Sequence, residues 1–508
     1  MSLTASDEYP GKLINMAFYK NKLFLIAGSF FGLAFLFLFS IRIGWFDSIL
    51  SRPKTLSLAS IGEVSERDTW MNIFQNNRKI GFSHSTFSKQ DMGYVLQETV
   101  YMRINTMGMV QDINLKTEGR LHPDFTIASI NFKISSGKFQ YAVKGTRADK
   151  VMTVQTQSAG DRRKIEIELK DKPYMFAGVL NAVTATQPKP GDKFVFHIFD
   201  PGTMAQQPVN VEVIGQEQFE LMGEALTATK ISLSLQGNTQ LAWIDDNGDV
   251  LREKGLLGIQ LERTSRQDAL YGQALTASQD LTQTASVASN VALKNVDQLQ
   301  RLTLEIEGIP QNRLQLEGGR QLFEGNVLTI DKESLSNLPL DLTIDGLGEL
   351  EKVFLKPSPF IQSDHEKIQE LAHKILGPES SDPPLKKAQK LLAWVYQNIE
   401  KRPVLSLPDA LSTLDHRMGD CNEHAVLMAA LARAAGIPCR IEAGLVYLKG
   451  RFYYHAWNLV YVGRWITVDS LFGQMPADVS HIRFTSGTQQ QQIDIIGVIG
   501  KVQLRVIQ

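Results

Sequence analysis

The two cysteines of the 508-residue chain, Cys421 and Cys439, both lie in RMGDCNEHAVLMAALARAAGIPCR, from Arg417 to Arg440. After Gly419, the order Asp420, Cys421, Asn422, Glu423 fits a helix N-cap with Glu at the third helical position. The helix is predicted from Cys421 to about Ala435, with Gly436 as a left-handed cap and Pro438 barring continuation. Cys421 then occupies the first helical position, where unpaired N–H groups and the helix dipole favour a thiolate over a thiol. A thiolate becomes a catalyst when a base stands beside it and a third group orients the base. Downstream, RFYYHAWNLVYVGRWITVDSLFGQMPAD reads as a hairpin with His455 on its first strand and Asp469 at the end of its second. A loop of residues 462–464 sets Asp469 opposite Trp457, diagonal to His455 on one face, where side chains can meet. A two-residue loop would instead set it opposite Asn458, on the wrong face.

Blander readings stand beside this one. Cys421 could be a buried thiol. A Cys421–Cys439 disulfide fails on reach: the helix runs about 22 Å and three further residues return about 10 Å. The Cα atoms are then left about 12 Å apart, against a limit of about 7 Å. Cys439, between Ile437 and Ile441, reads as a small buried hydrophobe. His424 and His481 are alternative bases. His424 lies one turn along the cysteine's own helix and reads as structural, and His481 sits outside the expected trio. His365 and His373 are spaced unlike the i, i+4 pair of a metal-binding helix, and His84, His122 and His197 have no nameable partners. Trp394 and Tyr396 read as packing residues.

The elements that must position these groups follow from periodicity. SDHEKIQELAHKILG opens with Ser363 and Glu366 as a capping signal and closes at Gly377. In SDPPLKKAQKLLAWVYQNIEK, prolines stand at the first helical positions, and Leu385, Ala388, Leu391, Leu392, Val395 and Ile399 recur at helical spacing. Upstream the chain is strand-like. YVLQETVYMRIN, KFVFHIF and ISLSLQG are β-rich runs, and Asn247-Gly248 is a hairpin turn. The acids around that turn do not make a calcium loop, because Val250 and Leu256 stand where an EF-hand needs Gly and Glu.

We expect a multidomain α+β chain. It has a β-sandwich or barrel-like domain over 66–268, a linker over 269–296 and a small β domain over 297–357 with strands in PLDLTIDG and KVFLKP. A C-terminal α+β domain covers 360–508. Ahead of these, Leu23 to Ile41 carries no charge over 19 residues, about 28 Å as a helix. It is followed by Arg42, Ile43, Gly44 and Trp45 rather than a small-residue cleavage site. We read a cytoplasmic tail over 1–22 and an uncleaved signal-anchor over 23–43, with the bulk of the chain outside the cytoplasm in a bacterial periplasm. The flanking charges orient it only weakly. A net charge of −1, from 53 basic and 54 acidic residues, argues against nucleic-acid partners.

GDCNEHAVLMAALARAAGIPCR, YYHAWNLVYVGRWITVDSLFGQ, PADVSHIRF and KAQKLLAWVYQNI together resemble the bacterial transglutaminase-like superfamily over about residues 360–490. The resemblance implies a papain-like core in which a helix bearing the nucleophile packs on an antiparallel sheet carrying His and Asp. It assigns the catalytic positions to Cys421, His455 and Asp469, with no metal or organic cofactor. It further implies a thiol acyltransferase or hydrolase, here acting on envelope proteins or peptides. Asn458 stands where relatives often have an acid, and Ser470 where they often have Pro. The reading from another class is a non-catalytic envelope-binding module with a vestigial site.

Overall fold

The computed structural model describes Pro53, Gly62 and residues 64–158, 161–309, 314–338, 346–377, 380–405, 407–487 and 497–507. The expected tail (1–22) and signal-anchor (23–43) lie outside the described residues. Among the described residues no helix is long and apolar enough to cross a membrane. Residues Thr55–Gln508 form one compact unit, and it is mostly β.

Fifteen strands between Arg67 and Thr264 form one sheet. Two-residue turns join many of them. Asn76 and Asn77 both take positive φ, the backbone that matches the twist of a tight hairpin. At Asn247-Gly248, Asp245 Oδ1 accepts the N–H groups of Asn247 and Asp249. The sheet runs from an edge at Asp161–Glu168 back through chain order to Arg67–Gln75. That strand also pairs with Ile259–Thr264, and the order descends from there to Pro173–Tyr174. The main core includes Leu96, Val143, Val154, Val211 and Ile231, with Val179, Ala182 and Val183 of a short helix set into it, and smaller clusters gather around Trp243 and around Ile73 and Ile80. This is a single rolled, barrel-like sheet, and the two-sheet sandwich alternative does not describe it.

The segment read as a linker is held in place. The N–H groups of Thr276 and Ser278 donate to Lys79 O and Arg103 O. The buried Lys79 ammonium donates to Asp268 O and Ala269 O. Short helices, Arg266–Tyr271 and Leu281–Ala285, occupy it, and Val287–Ala288 pairs with Arg451–Phe452.

The small β unit also differs from expectation. Arg301–Glu307, Gln321–Glu324 and Val327–Asp331 form a sheet with Gln503–Val506 from the far end of the chain. KVFLKP is not a strand, since a helix covers Glu349–Val353. Residues 339–345, which hold most of PLDLTIDG, lie outside the described residues.

In the C-terminal part, helices cover Glu366–Leu376, Pro384–Asn398, Ala410–His416 and Cys421–Ala434. The first is capped by His365, whose Nδ1 accepts the Lys367 N–H, and not by Ser363. The central sheet holds Cys439–Leu448, Arg451–Tyr461, Trp465–Val468 and Ile482–Gly487. The cysteine helix is buried along nearly its whole length. Leu427, Met428 and Leu431 pack with Leu391, Val395, Val460 and Val468, each large side chain contributing about 1.5–3 kcal/mol. A second core joins Leu445, Phe452 and Phe484 of the central sheet to Leu302, Leu304 and Leu328 of the small sheet. The sheet carrying His455 is thus fixed between the cysteine helix and the small sheet.

Candidate active site

The chain enters the cysteine helix through a reciprocal cap. Asp420 Oδ1 accepts the Asn422 N–H at 2.9 Å, and Glu423 Oε2 accepts the Asp420 N–H at 3.0 Å. Cys421 stands at the first helical position, half-buried. Neither cap bond takes up its own N–H. The Ala456 N–H reaches the Cys421 sulfur, and Ala456 follows His455 directly.

Sheet register supplies the other two groups. Tyr461 pairs with Trp465 and Asn458 with Val468, so the hairpin turns through residues 462–464. Continued by one residue, the register sets Asp469 opposite Trp457, the first of the two alternatives read from sequence. His455 Nε2 lies 2.7 Å from Asp469 Oδ2. Asp469 Oδ1 accepts the N–H groups of Leu471 at 2.8 Å and Phe472 at 2.9 Å. The Phe472 ring stacks on the His455 imidazole at 5.0 Å between centroids, with Trp457 at 6.1 Å. A buried, ionised carboxylate facing Nε2 assigns the Nε2–H tautomer to His455. Nδ1 is then the nitrogen able to take a proton.

Burial alone would raise the Asp469 carboxyl, but the charges and N–H donors of His455 and His481 hold it well below the usual carboxylate range. For Cys421 the balance runs the other way. Burial, reinforced by the Asp420 charge, pushes the thiol well above its ordinary value, with Glu423 and Asp469 adding to it and only the Ala456 N–H opposing. This corrects the expectation that the helix start favours a thiolate. The two carboxylates that cap the first turn occupy the positive end of the helix and offset its field. Burial and these charges favour the thiol, so a base beside the sulfur is what would ease loss of its proton.

The remaining sequence candidates are placed as follows. Both cysteines are free, and Cys439 is fully buried, its thiol pushed up to about 12 by burial. His424 is fully buried, with Nδ1 2.8 Å from Asp420 O, and burial lowers its proton affinity, so it is a neutral structural residue. His84 pairs with Asp68 and stacks on Trp70, and His197 lies 3.5 Å from Asp171. Asn458 is buried and donates to Ala425 O of the cysteine helix at 2.9 Å, which ties strand to helix and takes it out of any substrate contact.

His481, read from sequence as outside the trio, is in contact with its carboxylate. Its Nε2 lies 2.9 Å from the same Asp469 Oδ2 that meets His455, and its Nδ1 lies 3.2 Å from Asp478 Oδ1. Burial alone would lower its proton affinity, but hydrogen bonds to Asp469 and Asp478 raise it to about 9. The sequence signal was the ADVSHI stretch, with an acid three residues before the histidine. His455, Asp469 and His481 also place one ligand atom each within 4.8 Å of one another. A metal ion there would have to replace both N–H donors now on Asp469 Oδ2. The hydrogen bonds account for the cluster as it stands.

Beside the cysteine helix lies a cavity of about 390 Å³. Asn422, Ala425 and Ala456, all close to Cys421 in the fold, line it together with Phe354 and Phe360. Met204 and Ala205 of the barrel-like sheet supply another part of its wall. A larger depression of about 700 Å³ is lined by Lys116, Lys133 and Lys144 of the barrel-like sheet together with His416.

A helix-start cysteine packed on a sheet bearing a His–Asp pair is the arrangement of cysteine-protease and transglutaminase-type folds. Residues 369–470 match the transglutaminase-like superfamily, and this part of the chain is a transglutaminase-like domain. The chain is 38% identical over 97 residues to an uncharacterized protein of Haemophilus influenzae, a match that spans 18% of this chain and 26% of the relative. Among solved structures it is similar to a candidate cysteine protease of Cytophaga hutchinsonii, at 20% identity and TM-score 0.29, over 40% of this chain and 83% of that one. It is also similar to the periplasmic domain of TgpA from Pseudomonas aeruginosa, at 17% identity and TM-score 0.22, over 35% and 90% of the two chains.

Proposed function

We propose that the protein is a thiol acyltransferase or hydrolase in which Cys421, His455 and Asp469 are the catalytic residues. The observation that carries this is the 2.7 Å bond from His455 to Asp469, with the N–H of the next residue, Ala456, favouring the Cys421 anion. His455 Nδ1 takes the thiol proton as Sγ attacks a carboxamide or peptide carbonyl carbon, and Asp469 supports the imidazolium. The Cys421 N–H, free of the cap, donates to the developing oxyanion. The C–N bond breaks, the proton passes from His455 to the leaving amine, and a thioester remains on Cys421. Water or an amine then attacks the thioester. His455 takes the attacker's proton and returns it to the sulfur.

The charge-free stretch Leu23–Ile41 supports a membrane-anchored enzyme facing the bacterial periplasm, with envelope proteins or peptides as substrates. The wall supplied by Met204 and Ala205 supports a role for the barrel-like sheet in choosing the substrate. The test is to incubate the protein with envelope proteins and glutamine-containing peptides, with and without an amine probe, and search for a thioester on Cys421 by mass spectrometry. A thioester absent from Cys421→Ala, with amine incorporation or hydrolysis, is the expected result. Full turnover by Cys421→Ala would sink the mechanism, and absence of both thioester and turnover in the unaltered protein would favour the binding-module alternative.

A further inference from the structure

Asp469 is not shared between the cysteine's base and solvent. Its Oδ2 meets two imidazoles, His455 at 2.7 Å and His481 at 2.9 Å, while its Oδ1 is taken by two backbone N–H groups. His481 is fully buried and meets carboxylates at both ring nitrogens. Asp478 is itself held by the Ser480 N–H at 2.9 Å, the Ser480 hydroxyl at 2.6 Å and Gln474 Nε2 at 3.0 Å. Arg320, reaching in from the small sheet and paired with Glu333, donates to the carbonyls of Ala477, Asp478 and His481 and pins the loop. On the opposite side, Trp457 packs edge-on to His481 at 5.1 Å, backed by Glu442 and Arg483.

An imidazole between two carboxylates has both nitrogens facing acceptors, and only the doubly protonated ring satisfies both. We infer that His481 is a positioning residue, protonated in the resting site, that shares Asp469 with His455 and sets the pH at which the Cys421–His455 pair exchanges its proton. The inference rests on the proposed catalytic roles of those two residues. The charged groups facing His481 are Asp469, Asp478, the His455 ring at 5.7 Å and the Arg320–Glu333 pair, with Glu442–Arg483 behind Trp457. A cation bound to the same Asp469 oxygen as His455, with the two rings 5.7 Å apart, eases loss of the Cys421 proton. Removing it moves both limbs of the reactivity profile to higher pH.

The experiment follows the rate of Cys421 alkylation by iodoacetamide against pH in the full chain, read by peptide mass spectrometry so that Cys439 is scored separately. Wild type, His455→Gln and His481→Gln are compared, with thermal unfolding as a fold control. Gln keeps a donor for Asp469 and removes the charge. The expected result is a wild-type profile with a His455-dependent limb, displaced upward in His481→Gln by one to two pH units, on the order expected for one charge at that separation. A merely structural role would lower the unfolding temperature and leave the limbs in place, which overturns the inference and not the catalytic reading. A wild-type profile indifferent to His455→Gln overturns both. Deuterium exchange at the imidazole C2 positions of the unaltered protein is the second measurement, independent of whether the variant folds. It is expected to give His481 a midpoint near 9, and a midpoint near the ordinary value of about 6.5 contradicts the inference.

Discussion

Asp469→Asn separates orientation from packing. The carboxylate receives four donors: His455 Nε2, His481 Nε2 and the N–H groups of Leu471 and Phe472. Asn is nearly isosteric, and its carbonyl oxygen can keep the two backbone donors. Its NH₂ group would then face two imidazole N–H groups, donor against donor. The site can resolve this if both rings become neutral and accept through Nε2, which moves the remaining proton to Nδ1. For His455 that is the wrong tautomer, because Nδ1 is the atom meant to receive the Cys421 proton. A comparable tautomer reversal in serine proteases lowers turnover by about 10⁴-fold, roughly 5.5 kcal/mol of barrier. Stability falls as well. Each charge-assisted hydrogen bond reduced to a neutral one forfeits about 1 kcal/mol, so four forfeit roughly 4 kcal/mol, less what is regained because the variant buries no charge. The assay pairs the Cys421 alkylation rate at pH 7 with a urea unfolding curve. The account predicts a folded protein, destabilised by a few kcal/mol, whose Cys421 reacts at the rate seen in His455→Gln. An Asn variant that is equally destabilised but alkylated at the wild-type rate would refute the orientation argument.

Other outcomes follow from the same geometry. His481 has its proton affinity raised from 6.5 to about 9 on folding. Its contribution to stability, on the order of 3 kcal/mol, is full below about pH 6.5 and is lost as pH rises through 9. Urea midpoints at pH 6 and pH 9.5 should show that fall, and His481→Gln should flatten it. Asn458→Asp puts a carboxylate against the Ala425 carbonyl in a buried site. It should cost about 2–4 kcal/mol in chemical denaturation, although relatives often carry an acid there. Ala205→Trp fills part of the cavity beside the cysteine helix from the barrel-like sheet. It should raise KM for envelope peptides while leaving iodoacetamide alkylation of Cys421 unchanged, and an unaltered KM would take the barrel-like sheet out of substrate choice.

What could be read in advance was local. The reciprocal cap of Asp420 and Glu423, the helix start at Cys421 and the glycine stop at Gly436 depend on residues within one turn of each other. The hairpin placed His455 near Asp469 once its loop was taken as residues 462–464. What was missed needed contacts distant in sequence. Gln503–Val506 is too short and mixed a run to declare its partner, yet it completes the sheet begun at Arg301. KVFLKP reads as β by composition, but Glu349–Val353 winds into a helix, its first turn rich in acids. Ser363 carried the cap pattern, but the helix starts at Glu366 and His365 Nδ1 takes the Lys367 N–H in its place. His481 escaped because its meaning depends on the turn after Asp469, where mutual hydrogen bonds between Asp469 and Gln474 fold the chain back onto the same carboxylate. The charge state of Cys421 was misread for a related reason. Burial of the sulfur raises the thiol most, and the carboxylates that identify the helix start add to it.

The most direct test of the central claim is the pH profile of Cys421 alkylation in wild type against His455→Gln. With the base removed, burial and the Asp420 charge should hold the sulfur as a thiol, so reaction should begin only above pH 9. With the base present, proton transfer to His455 should make Cys421 reactive near neutral pH. Superimposable profiles would contradict the account, because they would mean that the cysteine and the histidine–aspartate pair are neighbours in the fold without acting together.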